Sequence, residues 1–174
     1  MARDQPPREP IPPPLQPRGF FTGVKIRPII AGVVVDYIAT SVLVMAYLIF
    51  YYMKGAPEDG GLPEEALEKA FKEMLSSPEG LLAIIAIGTF CTALGGYVAG
   101  RLAGAEETKH GALVGAASLI LGALQAAMIG GENTIPQGYE LLGYALAIPA
   151  GALGGYFAQR DTRGPGPPLR EGNP

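Results

Sequence analysis

The chain reads as all-α: a polytopic helical membrane protein with four transmembrane helices, arranged as two parallel-repeat hairpins, plus a short extracytoplasmic amphipathic helix. Three observations carry that reading. Apolar runs long enough to cross a bilayer occupy about 28–53, 78–103, 109–130 and 136–159. Small residues recur at every fourth position inside them, as at Gly88, Thr92, Gly96, Gly100 and Gly104. In water each such glycine costs a helix roughly 1 kcal/mol against alanine; in lipid, small-xxx-small stripes let helices approach closely. Finally, ALGGYVAGR at Ala93–Arg101 returns as ALGGYFAQR at Ala152–Arg160, agreeing at seven of nine positions.

Composition narrows the rest. Glycine (25) and proline (17) exceed ordinary usage, the prolines gathering in tails and loops while most glycines sit inside apolar runs. A net charge of −3 without a basic patch argues against a nucleic-acid partner. The single cysteine, Cys91, forms no intramolecular disulfide and reads as a small buried hydrophobe. No short apolar segment with a small-residue cleavage site opens the chain, so the first run is expected to be an uncleaved anchor.

Residues 1–27 form a proline-rich tail, disordered and cytoplasmic in this reading. Seven prolines lie within the first nineteen residues, which favours solvated polyproline-II structure; Pro7, Pro10 and Pro13 have the spacing that proline-reading modules use. Residues 28–160 make the transmembrane domain. Pro28 suits a first helical turn, and the first span measures roughly 38 Å at 1.5 Å per residue, more than a hydrocarbon core of about 30 Å. Tyr47, Phe50, Tyr51 and Tyr52 crowd its far end as an interfacial aromatic belt would.

The next segment is hydrophilic and acidic. Within it, 63–76 patterns as an amphipathic helix with Leu67, Phe71, Met74 and Leu75 on one face, Ala66 and Ala70 beside them, and Glu65–Lys69 and Glu68–Lys72 paired at i,i+4. Capping the bundle suits it best, since its acidic side is repelled by anionic lipid. Ser77 and Pro78 form an N-cap and first turn for the second span. Thr108 is the expected cap of the third, whose small residues include Gly111, Gly115, Ser118 and Gly122. Thr134 with Gln137 has capping-box spacing before the fourth. That span carries Gly143, Ala147, Gly151 and Gly155, and Pro149 should bend it. Residues 161–174 form a second disordered cytoplasmic tail.

Orientation follows from lysine and arginine. Ten fall on one side, in the N-tail, at Arg101 and Lys109, and in the C-tail, against Lys54, Lys69 and Lys72 on the other. The positive-inside rule then places both termini in the cytoplasm and makes the protein a multi-pass component of the cell membrane. The repeated Tyr97–Arg101 and Tyr156–Arg160 pairs read as interfacial anchors at matching depths. Helices two and four run in the same direction, so the hairpins would be related by an axis along the membrane normal.

Few residues suggest chemistry. Asp36 is the one charged group away from the ends of a span, a candidate proton or cation site, or else an interfacial acid paired with Arg101 or Arg160. Gln125 is expected to bond between helices. His110, beside Lys109, reads as a solvated interfacial histidine. No nucleophile–base–acid set, phosphate loop or zinc spacing exists, so no catalytic, cofactor or metal residues are assigned. The packing residues assigned are Gly88, Gly96, Gly100, Gly104, Gly115, Gly122, Gly151 and Gly155.

The run Leu94–Leu124, LGGYVAGRLAGAEETKHGALVGAASLILGAL, resembles a pattern in small prokaryotic four-helix membrane proteins of unknown function. There a GGYxAxR-like helix end, a polar turn and an HGxxxG-like helix start follow one another. The resemblance implies fold and topology and no activity. The expected function is thus non-enzymatic: a scaffold or accessory subunit, its partners the lipid bilayer and either further copies of itself or other membrane proteins. The ladders are more than a four-helix monomer needs. The alternative is a small proton- or cation-coupled transporter or channel using Asp36.

Overall fold

A computed structural model of the protein describes residues 19, 22–55, 64–129 and 135–163. The proline triplet in the N-tail, Thr134 of the capping pair and residues 164–174 lie outside the described residues. Five helices follow one another: α1 (Ile26–Gly55), α2 (Glu64–Ser76), α3 (Pro78–Ala103), α4 (Glu107–Ile129) and α5 (Gln137–Arg163). Among the described residues, α1, α3 and α5 are long and apolar enough to cross a membrane.

The boundaries shift where local chemistry permits. Helix α1 begins at Ile26, leaving Pro28 within the first turn, where no intrahelical N–H is needed. Helix α3 opens as its sequence indicates: Ser77 Oγ accepts from the Gly80 amide at 3.1 Å, with Pro78 in the first turn. Its other end corrects the role expected of Gly104. This residue is the C-cap at φ +65°, its amide bonded to Gly100 O, and a Cβ there would touch nothing within 4 Å; the residue serves its own helix end. Helix α4 starts at Glu107, ahead of the expected cap Thr108, whose hydroxyl donates instead to Gln159 Oε1 on α5 at 3.1 Å. Helix α5 runs through Pro149 and on to Arg163, so residues 161–163 are helical rather than tail.

Helix α2 covers one end of the bundle. Ala70 and Met74 pack with Leu48 of α1 into a cluster joined by Tyr47, Tyr51, Tyr52, Leu67 and Ile84. Three of the four belt aromatics therefore hold α2. Only Phe50 stays exposed, with the Lys54 ammonium 4.8 Å above its ring. The buried stripe is narrower than the pattern suggests, leaving Phe71 outside at 38% exposure. Lys72 donates to Glu68 at 2.7 Å and holds that carboxyl below its ordinary range, whereas Lys69 pairs with Glu73 rather than Glu65. Gly80 is required at the α2–α3 elbow, because a Cβ there would run into Met74 O.

The long helices meet backbone to backbone. Gly95 of α3 faces α1, where a Cβ would come within 2.5 Å of Gly32 O; from α1, a Cβ on Gly32 would stand 2.6 Å from Gly95 O. Gly96 faces Gly151 of α5, and Gly154 faces Ala93 O of α3. Gly111 and Gly115 of α4 lie against Gly151 and Ala147 O of α5, while Gly155 meets Glu107 O. A Cβ on Gly100 would come within 2.8 Å of Ala158 Cβ. Of the assigned packing glycines, Gly96, Gly100, Gly115, Gly151 and Gly155 thus stand at helix–helix contacts. Gly88 and Gly122 have open space where a Cβ would go. An every-fourth stripe runs the length of a helix, but two crossing helices touch over only part of it.

The contacts depart from a two-fold relation between hairpins. Helix α4 packs on α3 and α5 and touches α1, whereas α1 meets α3 and α4 but not α5 among the described residues. A two-fold would map the α3–α4 contact onto an α5–α1 contact that is missing.

These contacts distinguish glycines by position. Gly154→Ala forces a methyl into the α3 backbone and should cost about 1–3 kcal/mol, the ordinary penalty of overpacking. Gly88→Ala meets open space and should leave stability unchanged or raise it by up to about 1 kcal/mol through helix propensity. Thermal unfolding of both purified variants in one detergent measures the difference. Equal midpoints would remove the close contacts from this account.

Candidate functional site

Asp36 stands about 15 Å along α1 from Ile26, and is 5% exposed. Gly32, Asp36 and Thr40 form an every-fourth stripe on α1. Gly32 brings α3 close, and the carboxylate lies beside Gly95, where a Cβ would come 2.9 Å from Asp36 Cβ. Three hydroxyls converge there. Thr40 of α1 donates to Oδ1 at 3.3 Å, Thr92 of α3 donates to Oδ2 at 3.1 Å, and Ser118 of α4 also donates to Oδ2. The expected partners Arg101 and Arg160 are both exposed, and no ion pair among the described residues reaches Asp36. The acid is held by neutral donors from three helices. Cys91, fully buried, sits next to Thr92 in the same layer.

The sequence reading singled out Asp36 and missed its partners. Thr92 and Ser118 occupy ladder positions, so they count there as small residues. A ladder in which a hydroxyl replaces a glycine at one rung is the signal that was available, together with the Gly32–Asp36–Thr40 spacing. Gln125, by contrast, is exposed on α4 and makes no hydrogen bond to another helix among the described residues. Its place in an apolar run gives its depth along the helix but not the direction in which it faces.

A second polar layer closes the end of the bundle opposite α2. His110 is fully buried rather than solvated. Its Nε2 accepts from the Lys25 amide at 2.9 Å, and Nδ1 lies 3.0 Å from Glu106 O, an arrangement that fits a neutral ring protonated at Nδ1. Lys25 continues the tie, its ammonium donating to Ala103 O at 2.9 Å, at the C-terminal end of α3, where a cation is favoured. Glu107, 5% exposed in the first turn of α4, accepts from Thr162 Oγ1 at 3.3 Å. Beside them the 104–109 turn, Gln159 and Thr162 line a cleft of about 620 Å³.

The repeated anchors sit differently in this layer. Tyr97 Oη donates across to Asp161 Oδ2 at 2.7 Å, using the helical extension of α5. Tyr156 is 46% exposed and lies against Phe157. Arg101 and Arg160 are both exposed, as side chains at an aqueous interface would be.

Chemically, the arrangement offers no activated nucleophile; among the described residues no three His, Cys, Asp or Glu side chains gather as metal ligands. It offers a buried carboxylate, Asp36, held by three hydroxyls with the Cys91 thiol in the same layer, a second buried carboxylate at Glu107, and a buried imidazole that pins the segment preceding α1. Comparison with family models, curated proteins and solved structures finds no match.

The imidazole tie has a direct test. His110→Ala leaves the Lys25 amide without the ring nitrogen it donates to, a loss of about 1–3 kcal/mol for a buried polar group, while Glu106 O keeps the amide of residue 110. Hydrogen–deuterium exchange should show faster exchange at Lys25 and the first turn of α1, with α2 unaffected. Unchanged protection around Lys25 would mean that the imidazole does not hold this segment.

Proposed function

We propose that the chain is a four-span protein of the cell membrane, with α1, α3, α4 and α5 as spans, both termini cytoplasmic and α2 on the outer side. In that membrane it acts as a non-enzymatic scaffold or accessory subunit. The observation that carries this reading is the pairing of a glycine-locked α3–α4–α5 core with broad apolar outer faces. Such close approach keeps a helix bundle together where lipid removes the hydrophobic drive between helices. Helix α4 adds 23 residues, about 34 Å, to the three apolar helices. The outer faces carry Ile30, Val34, Ile38 and Val42 on α1, and Ile120, Leu124 and Met128 on α4. Gly88 and Gly122 open onto the same surroundings, small-residue notches where a second copy or another membrane protein can approach.

The repeated phrase supports descent of the two halves from one hairpin in parallel orientation, later diverged in packing. The ten-to-three bias in basic residues supports the orientation. A second reading, a small proton- or cation-coupled transporter, is favoured by one observation: Asp36 and its three hydroxyls at a three-helix junction.

Orientation is tested in a Cys91→Ala background. Single cysteines replacing Glu65 and Gly138, both exposed, should label on intact cells with an impermeant maleimide. One replacing the exposed Ala105 should label only after permeabilisation. Labelling at Ala105 alone would reverse the orientation. The role is tested by isolation in mild detergent, where the chain should run at fixed stoichiometry with one larger membrane assembly. A monodisperse single chain that drives ion flux in proteoliposomes would replace the scaffold with the transporter.

A further inference from the structure

We infer that Asp36, Thr40, Thr92 and Ser118 form a binding site for one monovalent alkali cation, of sodium size, at the junction of α1, α3 and α4. The first ground is charge. A carboxylate that is 5% exposed inside an apolar bundle is costly unless its charge is compensated. The three ion pairs among the described residues lie on α2 and at the start of α4, and none reaches Asp36. Hydrogen bonds from neutral hydroxyls stabilise the anion but leave its charge uncancelled. One negative charge is matched by one positive charge. A divalent ion would leave the site net positive, and Ca²⁺ and Mg²⁺ sites ordinarily draw on more carboxylates, carbonyls and water.

The second ground is the donor set. The carboxylate and the three hydroxyls bonded to it are hard oxygens drawn from three helices, with the Cys91 thiol beside them in the same layer and Thr40 at 3.3 Å and Thr92 at 3.1 Å from the carboxylate oxygens. In the hydrogen-bonded arrangement the hydroxyl protons face the carboxylate. A helical Ser or Thr has a second option, turning its O–H onto the carbonyl one turn back. This chain uses that option elsewhere: Ser41 donates to Tyr37 O at 2.8 Å, Ser76 to Lys72 O at 2.8 Å and Thr162 to Ala158 O at 3.1 Å. The same rotation at Thr40, Thr92 and Ser118 turns oxygen lone pairs toward the carboxylate and converts an anion nest into a cation cage.

The third ground is placement. The site lies next to the Gly32–Gly95 contact, where the backbones of α1 and α3 meet without room for a Cβ. A cation shared by α1, α3 and α4 therefore bridges the least enclosed long helix to the core. The inference rests on the spanning reading only for the apolar surroundings of Asp36. Binding in detergent micelles is independent of orientation and of partners, so its failure is distinct from theirs.

The experiment is equilibrium binding of radiolabelled ²²Na⁺ to the purified full chain by scintillation proximity, at constant ionic strength with N-methyl-D-glucamine as the replacing cation. Binding should saturate near one ion per chain, be displaced by unlabelled sodium or lithium, and resist displacement by equimolar magnesium. Asp36→Asn should abolish it. Ser118→Ala and Thr92→Val, which remove one ligand each and keep the carboxylate, should weaken it about tenfold. The thermal midpoint of the wild type should rise with sodium and that of Asp36→Asn should not. If Asp36→Asn does not fold, the two hydroxyl variants decide the matter. Absence of saturable binding overturns the inference. So does binding that the hydroxyl variants leave unchanged, which puts the ion elsewhere, or a midpoint that responds to pH but not to sodium, which assigns the site to a proton.

Discussion

Backbone approach at glycine governs most of what this chain does in three dimensions. Between Gly32 and Gly95, Gly96 and Gly151, and Gly111 and Gly155, any Cβ would overlap a carbonyl or Cα of the facing helix. Helices this close present main-chain dipoles and short side chains to one another, and little else fits between them. Two consequences follow. Dispersion contacts accumulate along the crossing, which sustains association where lipid and leucine are equally apolar. Any polar atom beside a crossing is also drawn into reach of the neighbouring helix. Asp36 lies one turn beyond Gly32, and its carboxylate is within hydrogen-bonding distance of α3 and α4 because Gly32 and Gly95 let those backbones come so near.

The polar groups are sorted into layers by the same geometry. At the α2 end an apolar cluster around Met74 closes the bundle. The Asp36 layer brings in α1, α3 and α4 through neutral hydroxyls. At the far end His110, Lys25, Glu106 and Glu107 join the segment before α1 to the α3–α4 turn and to α5. No side-chain nitrogen or oxygen among the described residues is buried without a hydrogen-bond partner, as an apolar surrounding demands. The cost of an unsatisfied group there explains why His110 takes both a donor and an acceptor from backbone.

Helix type and extent were legible in the sequence because period, composition and caps are local properties. The Ser77–Pro78 start of α3 and the amphipathic α2 are examples. What escaped depends on rotation about a helix axis. The every-fourth stripes named the correct residue type for contact, yet Gly88 and Gly122 share those stripes with open space where a Cβ would stand, since crossing helices touch over only part of their length. His110 read as solvated because Lys109 precedes it; only the fold carries Lys25, distant in sequence, across it. Gln125 failed in the opposite sense, an interior polar residue facing outward. Asp36 was conspicuous from its charge. Thr92 and Ser118 were hidden because a hydroxyl residue passes as small wherever glycine is the norm.

The repeated phrase sits in two different settings. In the register that aligns ALGGYVAGR with ALGGYFAQR, Gly151 stands where α3 has Thr92, and Ala150 where it has Cys91. The second copy therefore lacks the hydroxyl that α3 offers to Asp36, and Gly151 instead receives the backbone of α4 and the face of Gly96. At the other end, Leu102 stands where α5 has Asp161. Tyr97 finds an acid across the α3–α5 interface, whereas Tyr156 meets no equivalent and turns outward. The two differences run opposite ways, the polar residue being Thr92 in the first copy and Asp161 in the second, and among the described residues α1 makes no contact with α5 to match the α3–α4 contact. The polar junction is built from α1 set against α3 through Gly32 and Asp36, with Thr40 and Thr92 on those two helices and Ser118 supplied by α4.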